Sequence, residues 1–484
     1  MNKELRRVSI VVLVMFLALF SSTTVIQVVA ADSLRSDPRN ARTLYASYSA
    51  ERGAIIVAGT PIAESKPTTD VYKFQRVYSA PQLYAPVTGY FTLNQGNTGI
   101  EGALNDYLSG TSNQQFLDQI NAILTGQQPK GAAVELTIDP VVQQAAFDAL
   151  GSLQGAVIAI DPKTGAILAM VSSPTFDPNT LALHDTQRVI DTYNQLLGDP
   201  TGPLFNRTIA GDLNPPGSTF KLVVTAAALE SGKYAPDSQF PNPPELQLPQ
   251  SDSVITNAGH DTCGGTSTVS IADALRLSCN IPFAQLGLAL GTRAILTQAE
   301  KFGFNSTVSV PMDSTPSIYP HALDAPQTML SAFGQSSVRA SPLQMAMVSM
   351  GVANRGQLMQ PTLVKGIIAP DLSVSQALQP KIFSLPISQQ TAATMTQMMI
   401  NNVSNGAASN ARIDGVDVAG KTGTAENGVG DPYTLWFTGF APANDPRVAV
   451  AVVVENGGGL GQNGTGNSLA APIAKKVLEA VLSR

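Results

Sequence analysis

The chain has 484 residues, of which 44% are hydrophobic and 13% charged, with 40 Gly and 33 Pro. That length exceeds one ordinary domain and allows a sizeable core, while the apolar share excludes a largely disordered chain. A net charge of -6, with no Lys/Arg-rich block outside the extreme N-terminus, argues against a nucleic-acid partner.

Residues 1–7 form a short basic tail carrying Lys3, Arg6 and Arg7. Residues 8–30, from Val8 to Ala30, carry no charge, which predicts a membrane span with a cytoplasmic N-terminus and the remaining chain outside. A cleaved signal peptide is the rival reading, because Val29-Ala30-Ala31 resembles a small-residue cleavage site. Its apolar region usually runs only about 7 to 15 residues, so the length favours an anchor. No later run is as long and uncharged, which leaves one crossing.

Residues 32–130 mix short apolar pieces, such as Gly53 to Val57 and Val87 to Phe91, with Pro, Gly, Asn and Gln. This texture predicts a small α/β or β-rich module. From residue 131 the pattern changes. Glu135 to Asp139 leads into helical spacing through Val142, Ala146 and Leu150. The runs Gly155 to Ile160 and Ala166 to Val171, joined by the turn Asp161-Pro162-Lys163-Thr164-Gly165, predict a β-hairpin. Ile271 to Leu277, Pro342 to Met350, Ser388 to Asn401 and Leu469 to Leu482 read as helices, and Arg447 to Glu455 as a buried strand. Residues 131–484 are therefore expected to be one α/β domain, a sheet packed with helices.

Three short motifs carry chemistry. Pro215-Pro216-Gly217-Ser218-Thr219-Phe220-Lys221 precedes an Ala- and Leu-rich stretch, so Ser218 and Lys221 should lie on a helix's first turn, on one face. A serine hydroxyl becomes a nucleophile when an adjacent base takes its proton, and a lysine serves if burial or nearby charge lowers its pKa. Ser278-Cys279-Asn280 follows the helix that Ser270 and Asp273 introduce with a capping-box pattern. Lys421-Thr422-Gly423, continued by Thr424, follows the alternating Val416 and Val418, a strand signature. Each motif is common by itself; all three in this order on one exported chain form a strong joint signal.

Other readings fare worse. Gly415 to Thr422 also fits the phosphate loop G-x-x-x-x-G-K-[ST], but Gly423, Gly428, Gly430 and Pro432 forbid the helix such a loop must open. Gly459 to Gly464 fits G-x-G-x-x-G with too little chain after it for a dinucleotide-binding unit, and reads as a surface turn. No G-x-S-x-G occurs, His184, His260 and His321 carry no nucleophile signature, and no cluster has metal-ligand spacing, so neither metal nor cofactor is expected.

The three motifs resemble those of the penicillin-binding proteins. The similarity extends through Thr137-Ile138-Asp139, Gly165 to Val171, Phe176-Asp177-Pro178-Asn179, Gly334-Gln335 and Trp436 to Pro442, and more loosely through Glu51-Arg52-Gly53 and Gly99 to Gly102. The monofunctional class B type, in its actinobacterial form with a short N-terminal module, is most similar. The resemblance implies a penicillin-binding/serine β-lactamase-like transpeptidase domain of α+β class: a central antiparallel sheet, flanking helices and an all-helical subregion. It implies a peptidoglycan D,D-transpeptidase that cross-links stem peptides through a serine acyl-enzyme and is acylated by β-lactams. Ser218 would be the nucleophile, Lys221 its base, Ser278 and Lys421 the proton path, and Asn280 an orienting group. Thr422, Gly423 and Thr424 would bind the donor's end. A membrane-embedded glycan polymerase and division proteins are the implied partners. The alternatives are a β-lactamase, which needs a deacylating base, and a penicillin-sensing receptor or idle scaffold. Cys263 and Cys279, the only cysteines, would either form a disulfide fixing the Ser278 loop or remain two small buried thiols.

Overall fold

The computed structural model of the chain describes residues 3–30, 50–112, 130–211 and 213–484. Residues 32–49 and 113–129 of the expected N-terminal module lie outside this set. Helix α1 (Lys3–Thr24) opens the chain and continues as a π-helical turn to Val29. Its uncharged stretch from Val8 to Val29, at about 1.5 Å per residue, gives roughly 33 Å, matching a hydrocarbon core of about 30 Å. Among the described residues it is the one helix long and apolar enough to cross a membrane.

Strands β1 (Ile55–Val57), β2 (Thr60–Pro67) and β3 (Phe74–Tyr78) form an antiparallel meander. Strand β4 (Ala133–Leu136) joins β1 in parallel, Ile55 opposite Val134. Two strands from far along the chain, β7 (Val364–Ile368) and β8 (Val374–Ala377), complete a six-stranded sheet ordered β8-β7-β4-β1-β2-β3. The expected boundary at residue 131 therefore separates stretches that share one sheet. Arg52, Arg76 and Glu101 are buried here together: Arg52 Nε and Arg76 Nε each lie 2.6 Å from a Glu101 carboxylate oxygen. Burial alone would raise the Glu101 pKa, but the two guanidinium charges outweigh it and hold the carboxyl below its usual range.

Helix α2 (Pro140–Leu150) is capped by Asp139, whose side chain accepts from the N–H groups of Val141 and Val142. The hairpin of β5 (Gly155–Ile160) and β6 (Ile167–Ser173) follows as expected. With β9 (Ala419–Ala425), β10 (Thr434–Ala441) and β11 (Val448–Val454) it forms an antiparallel five-stranded sheet ordered β9-β10-β11-β5-β6. Alternation along β11 sorts its side chains. Val448, Val450, Val452 and Val454 pack with α2 and the C-terminal α10 (Ala471–Leu482), while Ala449, Ala451 and Val453 belong to the core on the other face. Each buried Val contributes roughly 1.5–3 kcal/mol. The small alanines leave room for α8 (Pro342–Ala353), whose residues are all buried.

The helical subregion gathers around α3 (Lys221–Glu230), with α4 (Ile271–Leu277), α5 (Ile281–Leu290), α6 (Thr292–Lys301), α7 (Ala325–Ser331) and α9 (Gln389–Asn405). Two expectations need correction. Val416 lies outside β9; it bridges to Ile413 across a tight turn in which Gly415 has φ 75°, so the alternation with Val418 is not a strand. The Ser270–Asp273 pair is half a capping box: Ser270 accepts from the Asp273 N–H, but the carboxylate returns to the Ser270 hydroxyl.

Candidate active site

Lys421 sits mid-strand on β9, the edge strand of the five-stranded sheet, so the phosphate-loop reading fails on secondary structure. Ser218 lies in a 3-10 turn, Gly217–Phe220, that runs directly into α3, one turn earlier than a simple helical start. Trp436 Nε1 donates to the Pro215 carbonyl at 2.9 Å, and Gly217 N–H to Gly334 at 3.1 Å. These bonds tie the turn to β10 and to the Gly334 loop, which sets it beside β9. A Cβ on Gly423 would stand 2.8 Å from the Pro216 carbonyl oxygen, and one on Gly217 would stand 3.0 Å from that of Thr424. Only glycine allows so close an approach. Ser218 remains partly exposed between buried neighbours.

Helix α4 ends where Ser278 takes the left-handed conformation, φ 66° and ψ 35°. Such a conformation costs a non-glycine residue about 1–3 kcal/mol and marks sites held by their surroundings. The α4 terminus is held by Asn402 on α9, whose buried amide donates to the carbonyls of Leu275 and Arg276. Cys279 is disulfide-bonded to Cys263, with their Cα atoms 5.8 Å apart. This tie joins the Ser278 loop to the Thr262–Thr266 turn.

Four of the expected residues meet directly. Lys221 Nζ donates to the Ser278 carbonyl at 2.7 Å and to Asn280 Oδ1 at 2.9 Å. Lys421 Nζ donates to Ser278 Oγ at 2.7 Å and to the Thr422 carbonyl at 3.0 Å. Both lysines are fully buried. Burial holds the Lys221 pKa well below the usual lysine value, with the charge of Lys421 adding to the effect; burial lowers that of Lys421 to about 7. Two cations cannot be accommodated cheaply here, so one lysine at least is poised to take a proton.

The hydroxyls on β9 differ. Thr422 is buried and donates to the Ala407 carbonyl at 3.2 Å. Thr424 Oγ1 instead accepts from the Gly466 N–H at 3.2 Å, which leaves its own proton for a ligand. Sequence reasoning missed Phe283, whose ring lies 5.5 Å from Lys221 Nζ, and Asn257, which accepts from the Asn280 N–H at 2.9 Å. Phe283 is one apolar residue in an apolar helix, and Asn257 lies among turn-type residues, so neither carried a signal. Among the described residues no group of His, Cys, Asp and Glu is placed to hold a metal.

Comparison with known proteins agrees with this geometry. The family described as penicillin binding protein transpeptidase domain matches residues 155–479, and the penicillin binding protein A dimerisation domain matches residues 52–134. Peptidoglycan D,D-transpeptidase PbpA of Mycolicibacterium smegmatis is 41% identical, covering 100% of this chain and 99% of that one. The protein of the same name from Mycobacterium tuberculosis is 39% identical over the same shares. The penicillin G acyl-enzyme of M. tuberculosis penicillin-binding protein A superposes with a TM-score of 0.84 at 38% identity, covering 90% of this chain and 100% of that one. The cleft, the domain match and the full-length relatives agree, and the chain belongs to the penicillin-binding protein transpeptidases.

Proposed function

We propose that this cleft performs the D,D-transpeptidase reaction of peptidoglycan synthesis with Ser218 as nucleophile. Ser218 Oγ attacks the carbonyl between the two terminal D-alanines of a stem peptide, and Lys221 takes the hydroxyl proton. The peptide C–N bond breaks as Ser278, with Lys421 behind it, passes a proton to the departing D-alanine amine. An amine of a neighbouring stem then attacks the ester, forms the cross-link and returns the serine proton. Asn280 holds Lys221 and the donor's amide. Thr424 donates to the donor's terminal carboxylate, joined by Thr422 once it releases Ala407, with Lys421 nearby. The N–H groups of Ser218 and Thr424 stabilise the oxyanion, where one donor is typically worth about 2.7–4 kcal/mol. Gly423 keeps the strand close to the nucleophile. A β-lactam acylates the same oxygen and stays attached.

The observation that carries this reading is the meeting of two buried lysines at Ser278, one through its carbonyl and one through its hydroxyl. Helix α1, whose first two turns carry Lys3, Arg6 and Arg7, supports a single-pass anchor with the catalytic part outside the cytoplasm. A membrane-embedded glycan polymerase and division proteins are the partners we infer from the family resemblance. Labelling the full chain with a fluorescent penicillin, wild type against Ser218→Ala, tests the assignment. Wild type should hold an adduct for hours and the variant none. Equal labelling of both ends the reading, and rapid turnover of the adduct points to a β-lactamase.

A further inference from the structure

Helix α5 begins at Ile281 with an unusual division of labour. Asn280 occupies its N-cap position, where an asparagine oxygen ordinarily accepts from the N–H groups of the first turn. Here it makes no such bond. Its Oδ1 accepts from Lys221 Nζ and its Nδ2 donates to the Thr256 carbonyl at 3.1 Å. Pro282 removes one orphan donor, but the N–H groups of Asn280 and Ile281 still need acceptors.

Asn257 supplies both. Its Oδ1 accepts from Asn280 N at 2.9 Å and from Ile281 N at 3.1 Å. Its Nδ2 points the other way, to Asn242 Oδ1 at 3.2 Å. Asn242 in turn donates 2.8 Å bonds to the carbonyls of Cys263 and Thr266, and its Oδ1 also accepts from the Cys263 N–H. Asn257 and Asn242 are 2% and 0% exposed, so water does not substitute for these partners. The pair links the start of α5 to the disulfide-bearing turn.

We propose that Asn257, oriented by Asn242, is a positioning residue for the acyl transfer: it caps α5 from a separate segment and so frees the Asn280 side chain to hold Lys221. Resting on the reading of Ser218 as nucleophile, it adds a residue that touches neither substrate nor reacting atoms. Without Asn257, the N–H groups of Asn280 and Ile281 lose their acceptor, the start of α5 shifts to find another, and the Asn280 oxygen moves off Lys221 with it.

The test is the second-order acylation constant of the full chain with a fluorescent penicillin. Asn257→Leu keeps the branched heavy-atom shape but removes the acceptor, and should lower the constant by about 10²-fold, the scale of a misplaced catalytic group. In an Asn280→Ala background the same change should alter it by less than about fivefold, because the group it acts through is gone. A wild-type constant in Asn257→Leu, or an equal proportional loss in both backgrounds, overturns the proposal; the second outcome would show general structural damage. If Asn257→Leu does not fold, Asn257→Ser decides: its hydroxyl is too short to reach the Asn280 and Ile281 N–H groups, so it should lower the constant at least tenfold in the wild-type background and by less than about fivefold with Asn280→Ala. No loss, or equal losses in both backgrounds, overturns the role. Failure of the wild type itself to label would instead sink the transpeptidase reading.

Discussion

Lys421 Nζ and Ser278 Oγ lie 2.7 Å apart although 143 positions separate them in the chain. One belongs to the edge of a sheet and the other to the left-handed C-terminal cap of a helix, so their contact defines the cleft. If this bond relays the proton to the leaving amine, Lys421→Met should lower the acylation constant by 10²–10⁴, the usual range for a lost acid–base partner. Stopped-flow acylation with the variant's melting curve as control checks this. An undiminished constant in a folded variant removes Ser278–Lys421 from the proton path.

The lowered lysine pKa values also make a stability prediction. Unfolded Lys421 binds its proton up to about pH 10.5, whereas the folded residue releases it near pH 7. Between those limits the unfolded state holds more protons, so stability rises with pH and is lost as pH falls toward 7. Lys221 acts in the same direction. Above about pH 10 the buried phenol of Tyr90, whose pKa burial raises, works the other way. Urea midpoints should therefore climb from pH 7 to about 9.5 in wild type and climb less in Lys421→Met; parallel curves would contradict the buried, neutral lysine.

How much of this was legible in the sequence depends on how local each cause is. Ser218 and Lys221 stand out as a pair because a spacing of three puts both on one face of a turn, and the order of the three motifs along the chain gives that pair its weight. The β5–β6 hairpin and the α8 and α10 helices follow from apolar period and turn residues. The joining of β7 and β8 to β1 and β4 is a long-range pairing that no local pattern encodes. Asn257 escaped for the same reason: its partners, Asn280 and Ile281, are fixed by the fold, and an asparagine in a turn is ordinary. Val416 misled because alternation over three residues is too short to separate a strand from a turn.

The Cys263–Cys279 bond closes a loop of about 15 residues, worth roughly 3 kcal/mol in the chain-entropy model. It also anchors the residue between Ser278 and Asn280. Reduction should therefore lower both thermal stability and acylation rate while leaving the chain folded at room temperature. The measurement is acylation before and after reduction, with thiol alkylation confirmed by intact mass. Unchanged acylation by a fully alkylated chain would confine the bond to a stabilising role.

Gly423→Ala offers a steric test. Its Cβ would meet the Pro216 carbonyl oxygen at 2.8 Å and Trp436 Cβ at 3.0 Å, and neither neighbour is a flexible tip. Either β9 or the Ser218 turn must move. Overpacking of this kind costs about 1–3 kcal/mol, and the shift should fall on Ser218, the proposed nucleophile, lowering acylation at least tenfold by the misplacement argument. Acylation at the wild-type rate would mean that the strand and the turn are not held in register by this contact.

Glu101 provides the last prediction, outside the cleft. Its carboxylate faces Arg52 and Arg76 with almost no exposure, and Arg52 also donates to Asn105 Oδ1 at 2.9 Å while its guanidinium lies 4.3 Å from the centre of the Phe91 ring. Glu101→Gln keeps the shape but leaves two buried cations without a counter-charge, which should cost about 3–5 kcal/mol. Replacing all three residues together by apolar ones of similar volume, Arg52→Met, Arg76→Met and Glu101→Leu, should cost far less, because no orphaned charge remains. Urea unfolding of the two variants separates the explanations. If the triple variant is as damaged as Glu101→Gln, the cluster matters for its shape and hydrogen bonds to Gly53 and Glu101 backbone, not for its charge balance. Because the six-stranded sheet draws β4 and β7 from the catalytic stretch, loss of the cluster should also lower the melting point of the acylating part, with little change in acylation at low temperature.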